Sequence, residues 1–162
     1  NLNQETPALQ LKTIPLVKMF QKEIYQKIPK IASRLSTRLG YPILMKKIKF
    51  TKELGLGNLY CDVDWDITRE VFLAVLENHL EELAKGGELK VWTKETPIPG
   101  GKGTMLEILF RDRCKGFSKS FGDEVIAAGR SHRERMGLGL AVAKKVMAQQ
   151  GGELHKIGRA HV

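Results

Sequence analysis

Three clusters in the sequence combine residue types and spacing that suit nucleotide chemistry. Asn78 lies near the centre of a helix-like run, residues 66–85, although Asn is a poor helix-interior residue. Its neutral amide oxygen is a hard ligand that can join Mg²⁺ beside phosphates without adding charge. An exposed or capping Asn is the structural alternative. Arg111-Asp112-Arg113-Cys114-Lys115-Gly116-Phe117 follows a strand-like run. A carboxylate at a strand end accepts a hydrogen bond from an exocyclic amine, and a nearby Gly lets backbone approach a flat base. A charged turn closing the strand accounts for the same residues. Met136-Gly137-Leu138-Gly139-Leu140 opens a third helical run. Glycines there let backbone N–H groups meet an anion at the positive end of the helix dipole, or simply allow close packing.

The elements that must position these clusters follow from apolar periodicity. Leu16, Phe20, Ile24, Ile28, Ile31, Leu35 and Leu39 step by three or four, which predicts one buried helical face over residues 13–39. Pro29 predicts a kink or break inside it. Gly40 with Tyr41-Pro42 ends that run, and Ile43, Met45 and Ile48 suggest a strand. Asp66 fits an N-cap for a helix through Lys85, with Val71, Val75, Leu76, Leu80 and Leu83 on its inner face and Gly86-Gly87 at its end. Residues 88–93 and 105–110 read as antiparallel strands around a Pro/Gly-rich turn at 96–103. Residues 111–135 form a stretch of loop long enough for a lid. A helix over 137–150 stops at Gly151-Gly152, and residues 153–162 suit short terminal strands. This order predicts an α/β layer arrangement.

Composition narrows the classes of function. The 162 residues amount to about one domain, and 42% hydrophobic with 28% charged residues excludes a wholly disordered chain. The longest uncharged apolar run, Val71 to Leu76, is far short of the roughly 18 residues of a membrane span. Cys61 and Cys114 lie in no CxxC or Cys/His pattern, which predicts free thiols in a reducing cytoplasm. His79, His132, His155 and His161 show no metal-ligand spacing, and His79 lies about 100° from Asn78 around an ideal helix. No Ser/His/Asp or Cys/His nucleophile set is present. The net charge of +9 attracts anions. The cations are spread, however, and lack interleaved aromatics, so a solvated basic face is expected rather than a nucleic-acid surface. The absence of an initiator Met and of a signal-peptide pattern predicts a piece of a longer protein.

In this order the clusters resemble the catalytic ATP-binding domain of sensor histidine kinases, a branch of the Bergerat-fold ATPase superfamily. The matching stretches are "DITREVFLAVLENHLEELAKGGELKVW", "LEILFRDRCKGFS" and "RMGLGLAVAKKVMAQQGGEL", and the resemblance runs from about residue 9 to residue 155. It implies a two-layer α/β sandwich, with a mixed, mostly antiparallel sheet, helices on one face and an ATP-lid loop. Residues 1–12 would then be a linker from an upstream dimerisation region, and residues 13–162 the ATP-binding domain.

The implied activity transfers the ATP γ-phosphoryl to a histidine on that dimerisation domain, in a cytoplasmic part of a two-component system. ATP and Mg²⁺ are the implied cofactors. A downstream response regulator and a second copy of the full-length chain are the implied partners, with membrane contact only through regions outside this chain. By resemblance Asn78 holds Mg²⁺, with Glu82 as a further ligand candidate. Asp112 receives the adenine amino group, Gly116 lies beside the base, and Gly137, Leu138 and Gly139 meet phosphate. Arg130, Arg133 and Arg135 are phosphate or lid candidates, and Phe121 stands for the lid Phe. The chain departs from the pattern at Ala74, where the family has a polar residue, and at Cys114 and Arg135, where it has glycines. Glu81 and Glu82 replace a basic residue after the Asn. These departures suit a second reading, a regulatory or docking module of the same fold with weak or no nucleotide binding. An anti-sigma-type serine kinase is a third.

Overall fold

The computed structural model describes residues 8–55, 57, 59–101 and 103–114. In chain order these form β1 (Lys12–Pro15), α1 (Leu16–Glu23), α2 (Ile28–Leu39), β2 (Ile48–Glu53), β3 (Tyr60–Val63), α3 (Trp65–Glu82), β4 (Gly87–Pro97) and β5 (Thr104–Cys114). β1 pairs antiparallel with β3, Lys12 opposite Val63. The other three strands make a mixed sheet ordered β2-β4-β5, β2 parallel and β5 antiparallel to β4. The class is therefore mixed α/β, as the order of elements predicts.

The apolar stripe over residues 13–39 is divided among four elements. Thr13 belongs to β1, and the helix breaks at Ile24, five residues before Pro29. A 3-10 turn, Tyr25–Lys27, follows, and Pro29 sits in the first turn of α2. There its missing N–H costs nothing, because first-turn N–H groups have no partner within the helix. The stripe nevertheless stays on one side: Leu16, Phe20, Ile24, Ile28, Ile31 and Leu35 are all buried. α2 ends on Gly40, whose positive φ of 78° is cheap only without a Cβ. The expected strand at residues 43–48 begins only at Ile48, after a 3-10 turn at Met45–Lys47.

The cap of α3 is Asp64 rather than Asp66. β3 ends at Val63, so Trp65 is already helical and the residue between them must cap. The Asp64 carboxylate accepts from Ile67 N (3.4 Å) and from Gln10 N (3.0 Å), tying the N-terminal segment to the helix start. Asp66 lies in the first turn with its side chain 87% exposed. At the other end α3 stops at Glu82, and Gly86 follows at φ 115° against Lys47, where a Cβ would lie 3.1 Å from the Lys47 carbonyl oxygen. Leu44 N donates to Ala84 O (2.8 Å) and fastens the same corner.

The strands alternate between a packed and an open face. Leu89 and Val91 of β4 are fully buried and lie directly opposite Asp112 and Phe110 of β5; direct cross-strand partners share a face. With Ile48 they meet Phe20, Ile24, Leu76, Leu80 and Leu83 in one core. Phe20 meets Phe72 and Phe110 edge-on, with centroids 4.9 and 5.8 Å apart, a favourable arrangement of ring quadrupoles. Val75, expected inside, is half-buried. On the open face Lys90 and Arg111 lie over Trp92, 5.2 and 5.5 Å from its ring centroid. β5 runs four residues beyond the expected strand end, so Asp112 is inside the strand rather than in a turn after it. The alternation Arg111-Asp112-Arg113-Cys114 explains this, since both arginines take the open face.

Asp64→Ala is expected to lower unfolding free energy by about 1 kcal/mol or more, the usual weight of an N-cap. Asp66→Ala should stay within about 0.5 kcal/mol, as exposed positions do. Urea denaturation of the two variants tests the assignment, and equal losses would contradict it.

Candidate functional site

The last turns of α3 and the end of β5 bring together several residues singled out in the sequence. Asn78 is 7% exposed, and its Nδ2 donates to the Ala74 carbonyl one turn back (3.1 Å). This is the back-bond to the i−4 carbonyl that polar side chains make inside helices. It also fixes the amide, so that the oxygen is the end turned away from the Ala74 carbonyl. A neutral amide oxygen is a hard donor of the kind Mg²⁺ accepts beside phosphates and waters. The donor type of Asn78 is compatible with the implied Mg²⁺. Among the described residues no group of three or more His, Cys, Asp or Glu could hold a metal ion by itself.

Asp112 reaches the same region from β5. Its side chain is 8% exposed, and Oδ2 lies 2.5 Å from Nδ1 of His79, which is 22% exposed. An ionised carboxylate only accepts, so Nδ1 carries the proton and donates. The His79 ring lies nearly parallel to Phe110, with centroids 5.5 Å apart and planes inclined by 12°. A carboxylate on the packed face of a sheet needs such a donor, because leaving the charge enclosed without one costs several kcal/mol, in the range of roughly 1–3 or more. His79 was set aside in the sequence for its rotation away from Asn78. That same rotation delivers it to β5. The missed signal was the strand alternation, which puts Asp112 on the side facing α3.

Cys114 occupies the position where the resemblance expects a glycine. Its Sγ donates to the Glu82 carbonyl (3.2 Å), with Glu82 Oε2 at 3.8 Å. The thiol therefore serves one of the carbonyls left over at the end of α3, and the Glu82 carboxylate lies against it. Glu81 is buried. Ala74, one turn before Asn78, contributes its backbone. Gly116, Phe121, Arg130, Arg133, Arg135, Gly137, Leu138 and Gly139 lie outside the described residues, as do the expected lid and third helix.

Among the described residues no helix is long and apolar enough to cross a membrane. Both cysteines are free thiols. Compared with known proteins, the chain matches no family model and no curated protein.

Burial pushes the Cys61 thiol above its ordinary range, helped by the charges of Asp62 and Glu95. A raised value means less thiolate at a given pH, and the thiolate is the nucleophile. Alkylation of the folded chain by iodoacetamide at pH 8 should therefore run slower at Cys61 than on a small free thiol. Mass spectrometry of timed samples reads this, and a rate equal to the small thiol's would refute it.

Proposed function

We propose that the chain is a Bergerat-fold nucleotide-binding domain of the sensor histidine kinase type, which binds Mg·ATP and serves transfer of the γ-phosphoryl to a histidine on a separate dimerisation domain. The observation that carries this reading is the meeting of α3 and β5. A helix with an enclosed Asn packs on one face of a sheet whose long antiparallel hairpin brings a carboxylate to the same end of that helix. The mixed α/β class of the described residues and the contact of His79, next to Asn78, with Asp112 support the reading.

In this reading Asp112 selects the base by accepting its exocyclic N–H, and the Asn78 oxygen joins the metal. Mg²⁺, when bound, neutralises phosphate charge. Gly137 and Gly139 supply backbone N–H groups to the phosphates, and Arg130, Arg133 and Arg135 add positive charge from the lid. Phosphoryl transfer asks a protein chiefly to position groups and stabilise charge, so a site without a base or nucleophile of its own suffices. The phosphorylated histidine, the response regulator, assembly as a homodimer and the cytoplasmic setting belong to the same proposal.

A specific observation favours the second reading, a regulatory or docking module with weak or no nucleotide binding. The Asp112 carboxylate already accepts from His79, and Cys114 adds a side chain where the family has a glycine. Titration calorimetry with Mg·ATP separates the readings. The kinase-type reading expects binding at micromolar to millimolar nucleotide. Asp112→Asn should weaken it at least about tenfold, the cost of losing a charge-assisted hydrogen bond. Asn78→Ala should remove its Mg²⁺ dependence while changing unfolding free energy by no more than about 1 kcal/mol. No heat and no rise in melting temperature at millimolar Mg·ATP would leave the module reading standing.

A further inference from the structure

We propose that His79 is the residue that sets base affinity at this site, because its side chain occupies the Asp112 carboxylate as a nucleobase would. The inference rests on the nucleotide-binding reading above. It is carried by three features of one side chain. The Nδ1–H group donates to Asp112 Oδ2 at 2.5 Å, the interaction assigned to the exocyclic amine of a base. The imidazole is a flat aromatic ring, and it lies against Phe110 with planes only 12° apart. It also starts from α3, the helix that carries Asn78, one residue away. A planar ring with an N–H aimed at the carboxylate and a face on an aromatic neighbour reproduces what an aminopurine presents. The chain thus satisfies its own base-reading group.

A carboxylate accepts several donors, but the imidazole takes Oδ2 and stacks on Phe110, so a base approaching that oxygen along the same ring face competes with it. In this competition binding draws His79 away from Asp112 and Phe110. The apparent dissociation constant is then the intrinsic one divided by the fraction of molecules in which His79 has moved away. A charge-assisted hydrogen bond together with a ring contact holds most molecules in the closed arrangement, so affinity falls by about 10- to 100-fold. Removing the ring should restore it. His79→Gln keeps an N–H donor of similar reach but loses the flat aromatic face, and its affinity should lie between those of the native chain and His79→Ala.

The experiment is calorimetric titration of the whole chain and of both variants with Mg·ATP, beside ¹⁵N NMR of the His79 ring. The expected result is at least about tenfold tighter binding by His79→Ala, with His79→Gln intermediate. The Nδ1 proton signal of the native chain should lose its hydrogen-bonded shift as ATP is added. If the native chain binds ATP and neither variant binds more tightly, His79 does not compete. That outcome overturns this proposal and leaves the nucleotide-binding reading intact. If neither the native chain nor the variants bind ATP at millimolar concentration, both fail together. Should His79→Ala not fold, His79→Gln decides alone: tighter binding than native supports the competition, and unchanged or weaker binding refutes it.

Discussion

The alternation of β5 imposes the condition to which the rest of this end of the molecule responds. Successive side chains of a strand point to opposite faces, so Phe110, Asp112 and Cys114 must all face α3 once Arg111 and Arg113 take the open side. One of the three is a carboxylate on a face otherwise lined by Leu89, Val91 and Phe110. An enclosed charge needs a donor, and His79 is the side chain of α3 that supplies it. The thiol of Cys114 meets the same condition from the other direction, giving its proton to a carbonyl at the end of α3. Helix and strand are therefore joined by polar contacts at their ends as well as by the leucines between them.

Those contacts need α3 to be held in both position and rotation. Asp64 fixes its start against the N-terminal segment, and Leu44 N with the tight passage of Gly86 past Lys47 fixes its end. Arg69 with Glu23 and Arg38 with Glu77 tie it to α1 and α2, though half-exposed pairs of this kind contribute little energy. The rotation comes from the buried Val71, Leu76, Leu80 and Leu83. A turn of one residue, about 100°, would send His79 away from β5 and break its contact with Asp112.

The sequence made the apolar framework legible because helix burial has a period that can be counted. The stripe from Leu16 to Leu35 is buried as expected, and the hairpin strands lie where expected. Boundaries were less readable, for physical reasons that differ from place to place. Asp64 and Asp66 are equally good caps, and only the end of β3 selects between them. Pro29 marks a break in the right region, but the chain turns earlier and uses the proline to begin a new helix. Arg111 to Cys114 reads as a charged turn by composition, whereas its alternation allows a strand with charge on the open face. The pair formed by His79 and Asp112 depends on strand register and helix rotation together, and neither residue signals the other in the linear sequence. The Gly-Leu-Gly-Leu segment and the lid arginines lie outside the described residues.

The residues that depart from the resembled pattern differ in what their side chains do in the fold. Asn78 is held by the carbonyl of residue 74, which any amino acid supplies, so Ala74 leaves the amide held where it is. Cys114 is directed to the end of α3 by its bond to Glu82, and its sulfur is employed in fold stability. The side chain that meets Asp112 is the imidazole beside Asn78. Its Nδ1 lies at that carboxylate and its ring lies against Phe110. Under the proposed function, access of a base to Asp112 therefore depends on how firmly one hydrogen bond and one ring contact hold His79 in place.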